Sequence, residues 1–425
     1  MPNGEPFINK PVPGADQYYP LNDPAIGTPL PIKAYPQNAK VPLLFQPLTI
    51  RGITFKNRIW VSPMCQYSSD NGHATDWHLV HLGGYATRGV GAICVEASSV
   101  TPEGRISPED SGIWDDSHIP GFKRIVDFSH AHGTLIGIQL GHAGRKASTL
   151  APSVHTNAAK TRRAPKRTAD IEDNGWPGDV VGPSAISFAE GYPDPKAMQA
   201  EDFVRIEEAF VAAVERCKKI GFDFIELHAA HGYLLHEFVS PLSNNRTDEY
   251  GGSLENRLRY PLRIIERVRK AWDKPLFVRI SATDWAEGPE KGDNGEWRYW
   301  GLEQSKVYVG EMKKLDVDLV DCSTGGNWDK QDIPLVPGYQ VPFAEGLKKA
   351  HPDIPVTAVG LITDPKQAEE ILQSGKADAI FLARELLRNP HWAMYAAQEL
   401  GVAIKPSNQY ERAWMSVLTA KPVPN

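Results

Sequence analysis

The chain has 425 residues, of which 41% are hydrophobic and 23% charged, and a formal net charge of −6; that balance belongs to a globular protein with a large core. A negative net charge gives no general attraction to nucleic acid or an anionic membrane, and no apolar run reaches membrane-spanning length, so neither partner is expected. Cys65, Cys94, Cys217 and Cys322 are scattered without a Cys-x-x-Cys pair, which points away from zinc ribbons and iron–sulfur clusters and towards a reducing, cytoplasmic setting.

Residues 1–40 are rich in Pro, Gly, Asn and Asp without a sustained period, and predict an extended N-terminal arm. No basic start followed by an apolar stretch marks a leader. The folded body is expected over residues 41–414, with a tail at 415–425. LTIRGITFKN (48–57) consists of two short β-like runs around Arg51-Gly52, a hairpin placed before the first main strand. Eight strand candidates follow: RIWVSPM (58–64), GAICVEAS (91–98), TLIGIQL (134–140), FDFIELH (222–228), PLFVRISA (275–282), DLVDCS (318–323), PVTAVGL (355–361) and DAIFLAR (378–384).

Amphipathic segments such as EDFVRIEEAFVAAVERCKKIG and DPKQAEEILQSG lie between most of them, and Gly133, Gly221 and Gly375 fall where helix C-caps belong. This number of βα repeats predicts a (β/α)8 TIM barrel with an N-terminal arm and a long strand-three loop insertion. That insertion, about 147–195, carries KTRRAPKRT (160–168), a basic run that reads as solvated rather than as a nucleic-acid site. The loop 286–301 contains Trp297, Tyr299 and Trp300, which either cover a substrate or pack on the surface.

The segment FDFIELHAAHGY (222–233) is the most informative stretch. Its apolar strand ends in His228, His231 and Tyr233, and the carboxyl ends of barrel strands face the ligand. Satisfied core histidines are one alternative. Half of a metal site is another, but two alanines stand where a metalloprotease helix would carry its general-base Glu, so no metal is expected. The pair His78 and His81, at helical spacing, reads as packing. Polar groups end other strands too, with Ser62 to Tyr67 after the first, Glu96 to Ser98 on the second, Gln139 on the third and Arg279 on the fifth. Arg384 follows strand eight and Gly360 ends strand seven, a region that binds phosphate in such barrels; the alternative for Arg384 is an ion pair with Glu385.

SPMCQYSS (62–69), VEASSVTPEGRIS (95–107), GIQLGHAGRK (137–146), ELHAAHGYLLHEFVSPLSNNRTDEYGGSLENR (226–257), VRISATD (278–284), ARELLRNP (383–390) and QYERAW (409–414) closely resemble the Old Yellow Enzyme family, in particular its thermophilic-like branch of FMN-dependent ene-reductases. The likeness runs from Val41 to Trp414.

The resemblance implies FMN as cofactor, NADPH or NADH as reductant and a small activated alkene as substrate, with hydride from the flavin N5. Ser62, Pro63, Met64 and Cys65 would lie along the flavin. Ala97, Gln139 and Arg279 would contact its rings, and Gly360, Ala383 and Arg384 its phosphate. His228 and His231 would bind the substrate's activating oxygen, Tyr233 would give the proton, and Tyr67 would help position the substrate. Arg412 would act in a neighbouring subunit's site, in a homodimer or homotetramer. Ala383 stands where the family usually has glycine, a change tolerable unless the backbone needs positive φ.

Overall fold

The computed structural model describes residues 13–14, 22–156 and 166–418; most of the basic run, residues 160–165, lies outside them. Two short strands, β1 (Leu48–Ile50) and β2 (Ile53–Phe55), form the hairpin, with Arg51 and Gly52 both at positive φ (43° and 76°). That conformation matches the right-handed twist of the flanking strands.

Eight parallel strands then close into a barrel: β3 (Ile59–Val61), β4 (Ala92–Ser99), β5 (Leu135–Gly141), β8 (Phe224–Ala229), β9 (Leu276–Ser281), β10 (Leu319–Ser323), β11 (Val356–Ala358) and β12 (Ala379–Leu382), each paired with its sequence neighbour and β12 with β3. The gap in numbering holds β6 (Val181–Gly182) and β7 (Lys196–Ala197), a two-residue ladder inside the long loop. Every strand candidate lies in the barrel. The first is shorter than its apolar run because Pro63 has no N–H for a ladder. Helices close as expected, with Gly133, Gly221 and Gly375 at positive φ.

Side chains alternate in and out of the barrel, so residues two apart form vertical rows. On β8 the inward row reads Phe224, Glu226, His228; on β9 it reads Phe277, Arg279, Ser281; on β10, Leu319, Asp321, Ser323. The lowest layer is an aromatic plug in which the hairpin's Phe55 meets Trp60 (ring centroids 4.6 Å), Trp60 stacks on Phe277 (5.9 Å, 4°) and Phe277 on Phe224 (4.7 Å). The chemistry-bearing layers sit above it.

Residues 22–40 do not project as an arm. Asn38 donates to the Leu30 and Ala403 carbonyls and accepts from the Ala403 N–H, Gly27 N–H donates to Lys405, and Ile26 is buried. These long-range contacts, near the Gly89 and Asn57 turns that precede strands, tie the segment to the bottom of the barrel. At the other end the helix Glu411–Leu418 runs through position 414, and Leu418 is buried.

Candidate active site

The mouth above the strands' carboxyl ends is a cavity lined by Ser62, Pro63, His231, Arg279, Ser323, Gly360, Ala383 and Arg384 among others. Its floor is charged. Arg279 is buried and pairs with Asp321, lies 3.4 Å from Glu226 and donates to Ser62 Oγ (2.8 Å). Gln139 Nε2 donates to Glu226 (2.7 Å) and Thr357 to Asp321 (2.6 Å). Burial by itself would pull the guanidinium down, but Asp321 and Glu226 more than offset it. Burial pushes the Glu226 carboxyl up to about 8, with Arg279 opposing and Asp321 adding. Glu226 and Asp321 escaped the sequence reading; the signal was a lone acid on the inward register of each apolar strand.

Above this layer the His228 ring lies edge-on to both His231 (5.2 Å, 89°) and Tyr233 (4.8 Å, 78°). The three expected donors therefore share one strand tip. Burial, then neighbouring positive groups, drives both imidazoles well below the ordinary histidine value, so they are neutral at physiological pH. For Tyr233, burial pushes the phenol well up, which keeps its proton in place. His228 Nδ1 is buried with no partner. His231 differs, since its Nε2 meets Ser323 Oγ at 2.7 Å and Ser323 in turn donates to Gln340 (3.2 Å).

The turn that carries these groups is tightly held. His231 and Gly232 are both left-handed (φ 60° and 72°), and a Cβ on Gly232 would lie 2.2 Å from the Gly326 carbonyl. Lys146 Nζ donates to the His231 and Gly326 carbonyls, both at 2.8 Å, and the His231 N–H donates to Ser281 (2.9 Å). Gly232 N–H donates to His236, which is paired with buried Asp284 (3.1 Å).

Met64, Cys65 and Tyr67 follow β3 in an irregular, half-buried segment, with Tyr67 left-handed (φ 50°). Ala97 stands half-buried on β4 beside Glu96. On the opposite rim Gly360 has φ 121°, and a Cβ there would run into Gln340. Ala383 has φ −111°, not the positive φ that would call for glycine. Arg384 is exposed at the cavity edge; Glu385 pairs with Arg388 instead (2.6 Å), so the alternative pairing is not formed. Arg412 is exposed on the helix Glu411–Leu418 and is not among the residues lining the cavity. Of the loop aromatics, Trp300 is core, its indole N–H donating to Ser281, while Trp297 stacks under Lys291 (4.3 Å). Neither lines the cavity. Among the described residues no group of three or more His, Cys, Asp or Glu side chains is arranged to hold a metal ion.

A cavity whose floor is an arginine in a carboxylate cradle, with neutral proton donors on one side and a glycine–arginine rim on the other, suits a flat redox cofactor bearing a phosphate. The class is that of a flavin-dependent oxidoreductase on a TIM barrel. The chain belongs to the NADH:flavin oxidoreductase / NADH oxidase family, whose profile matches residues 43–402. It is 48% identical over 376 residues to an NADPH dehydrogenase of Geobacillus thermodenitrificans, covering 88% of this chain and 98% of that one. It is 45% identical over 404 residues to an NADH:flavin oxidoreductase of Gibberella zeae, covering 94% of each. Among solved structures, morphinone reductase superposes with a TM-score of 0.66 at 24% identity, covering 86% of this chain and 91% of that one; at that identity the likeness concerns the fold. FMN is the family's flavin, and the buried Arg279, the unpartnered His228 nitrogen and the Gly360–Arg384 rim fit it.

Among the described residues no helix is long and apolar enough to cross a membrane.

Proposed function

We propose that the protein is an ene-reductase: it oxidises NADPH or NADH and reduces a C=C bond conjugated to a carbonyl or other electron-withdrawing group. FMN, when bound, supplies the redox chemistry that links the two half-reactions. The observation that carries the reading is the cluster of three neutral proton donors, His228, His231 and Tyr233, on one strand tip beside a flavin-type cavity.

In this reading His228 and His231 hold the substrate's activating oxygen, on which negative charge gathers as the alkene is reduced. One such donor is worth about 3–4 kcal/mol in oxyanion sites. His231 takes up this role by exchanging Ser323 for the substrate oxygen. Tyr233, kept protonated by burial, delivers a proton to the α-carbon, and Tyr67 orients the substrate from the facing segment. Arg279 would hold the flavin ring system, with Gln139, Ala97 and Ser62 to Cys65 contributing, and Gly360, Ala383 and Arg384 would take the phosphate. NADPH as reductant is supported by the names of the bacterial relatives. Because Arg412 stands outside its own chain's cavity, its contribution is assigned in trans, within a homodimer or homotetramer.

The test is anaerobic spectroscopy of the FMN-loaded protein. NADPH bleaches the flavin absorbance, and cyclohexenone or maleimide restores it. A yellow protein that NADPH leaves coloured, or a bleached one that no activated alkene recolours, contradicts the proposal.

A further inference from the structure

The segment that follows β3 has no regular structure from Ser62 to Ser69, yet under the proposed function it presents Cys65 and Tyr67 to the flavin and substrate from a fixed place. One peptide of that segment is held by a buried charge. The Gln66 N–H donates to Glu96 Oε2 at 2.5 Å, and the other carboxylate oxygen lies 2.8 Å from His78 Nε2. Glu96 is 4% exposed and His78 1%. His78 reaches the pair from the helix Asp76–Ala86, where its Nδ1 accepts the Thr75 N–H at 3.0 Å. The same Thr75 donates its hydroxyl to the Ser68 carbonyl, so Gln66 and Ser68 are gripped by one small network.

Hydrogen-bond bookkeeping fixes the charge state. A ring nitrogen that accepts a backbone N–H carries no proton, so the His78 proton sits on Nε2 and the imidazole is neutral. Glu96 therefore receives two donors and, among the described residues, no lysine or arginine; with no acceptor left for a carboxyl proton, it is held as the carboxylate. An apolar residue would have packed this position at less cost. The carboxylate is retained where the Gln66 amide needs an acceptor, between the half-buried Cys65 and the left-handed Tyr67.

We propose that Glu96, oriented by His78, is a positioning residue for the flavin side of the site: it fixes the Gln66 peptide and through it the placement of Cys65 and Tyr67. His78 is thus more than the packing residue its helical spacing suggests. A second consequence follows from charge. Burial already drives the Cys65 thiol well up, and Asp110 and Glu96 add to that shift, so the fixed carboxylate holds Cys65 as a thiol. With FMN bound against this segment, as the proposed function has it, the same fixed anion would also disfavour electron uptake.

The inference rests on the FMN site proposed above, and the experiment separates the two. Full-length Glu96→Gln keeps an oxygen for the Gln66 amide and removes the charge; Glu96→Leu removes both. Cys94, Cys217 and Cys322 are buried, so iodoacetamide reports on Cys65. At pH 8, in the flavin-free and FMN-loaded protein alike, Glu96→Gln labels faster than wild type, because one of the anions that hold the thiol protonated is gone. The FMN midpoint potential moves in the positive direction. Glu96→Leu adds a loss of FMN affinity and of phenol-ligand binding, because the peptide is no longer held. Unchanged labelling, potential and FMN affinity in folded variants overturn the proposal. Should either variant fail to fold, His78→Gln, which leaves Glu96 charged but unoriented, weakens FMN and phenol binding without the rise in labelling; wild-type binding there overturns it equally. Failure of alkene turnover leaves the labelling result intact.

Discussion

The two ends of the same eight strands bury opposite chemistry. At the bottom, Phe55, Trp60, Phe224, Phe277 and Phe381 form a dry aromatic plug. Two residues further along the same strands stand Glu226, Arg279 and Asp321, and two further again His228, Ser281 and Ser323. Aromatic packing needs no partner beyond shape, so the bottom is stable on its own account. The layer above it survives burial because Arg279 is set against Glu226 and Asp321 and each of these two carboxylates receives a further donor. Stability and chemistry are thus assigned to different rows of one barrel, and single substitutions should separate them.

The largest separation is expected at the top. Tyr233→Phe should slow reoxidation by the alkene by about 10²–10⁴-fold, the usual worth of a positioned proton donor, while NADPH reduction of the flavin and the melting temperature stay near wild type. Stopped-flow absorbance of each half-reaction reads this, and equal losses in both would deny the phenol its role. At the bottom the effect inverts. Phe277→Ala empties a site between Trp60 and Phe224 and should cost about 3–5 kcal/mol in denaturant unfolding, with the half-reaction rates of the folded protein kept. A loss of chemistry out of proportion to stability would show that the rows are coupled.

A smaller effect probes what burying acids costs the upper end. Glu237, on the helix Leu234–Val239, is fully buried; it accepts the Arg145 N–H (2.8 Å), and its other oxygen has no partner. Burial pushes it up from 4.5 to about 8, with Arg145 opposing. Across that window the folded state holds a proton that the unfolded chain releases, so this group makes stability fall as pH rises, by about 1.4 kcal/mol per unit. Glu237→Gln should remove that slope and gain on wild type from pH 5 to 8 in urea titrations. A parallel pair of curves would mean that the carboxyl is ionised throughout.

The fold was legible in the chain because each barrel strand is a compact apolar run ending at Gly, Pro or a polar cluster, and because Gly133, Gly221 and Gly375 punctuate the helices. His228, His231 and Tyr233 were legible for the converse reason, as polar residues where an apolar run stops. Glu226 and Asp321 were not, since one acid in a strand reads as outward-facing until the register of its neighbours is known. The same holds for residues 22–40. Their composition is that of a loose leader, while their anchoring comes from Ala403 and Lys405, far off in sequence. Glu96 and His78 lie 18 positions apart on different elements, so neither announces the other.

The glycine contact between residues 232 and 326 has a mechanical meaning. With no side chain on either face and Lys146 Nζ bridging the His231 and Gly326 carbonyls, the loop after β8 and the loop after β10 are welded along a seam. They form one jaw of the mouth, and a side chain added at either glycine would force the two loops apart.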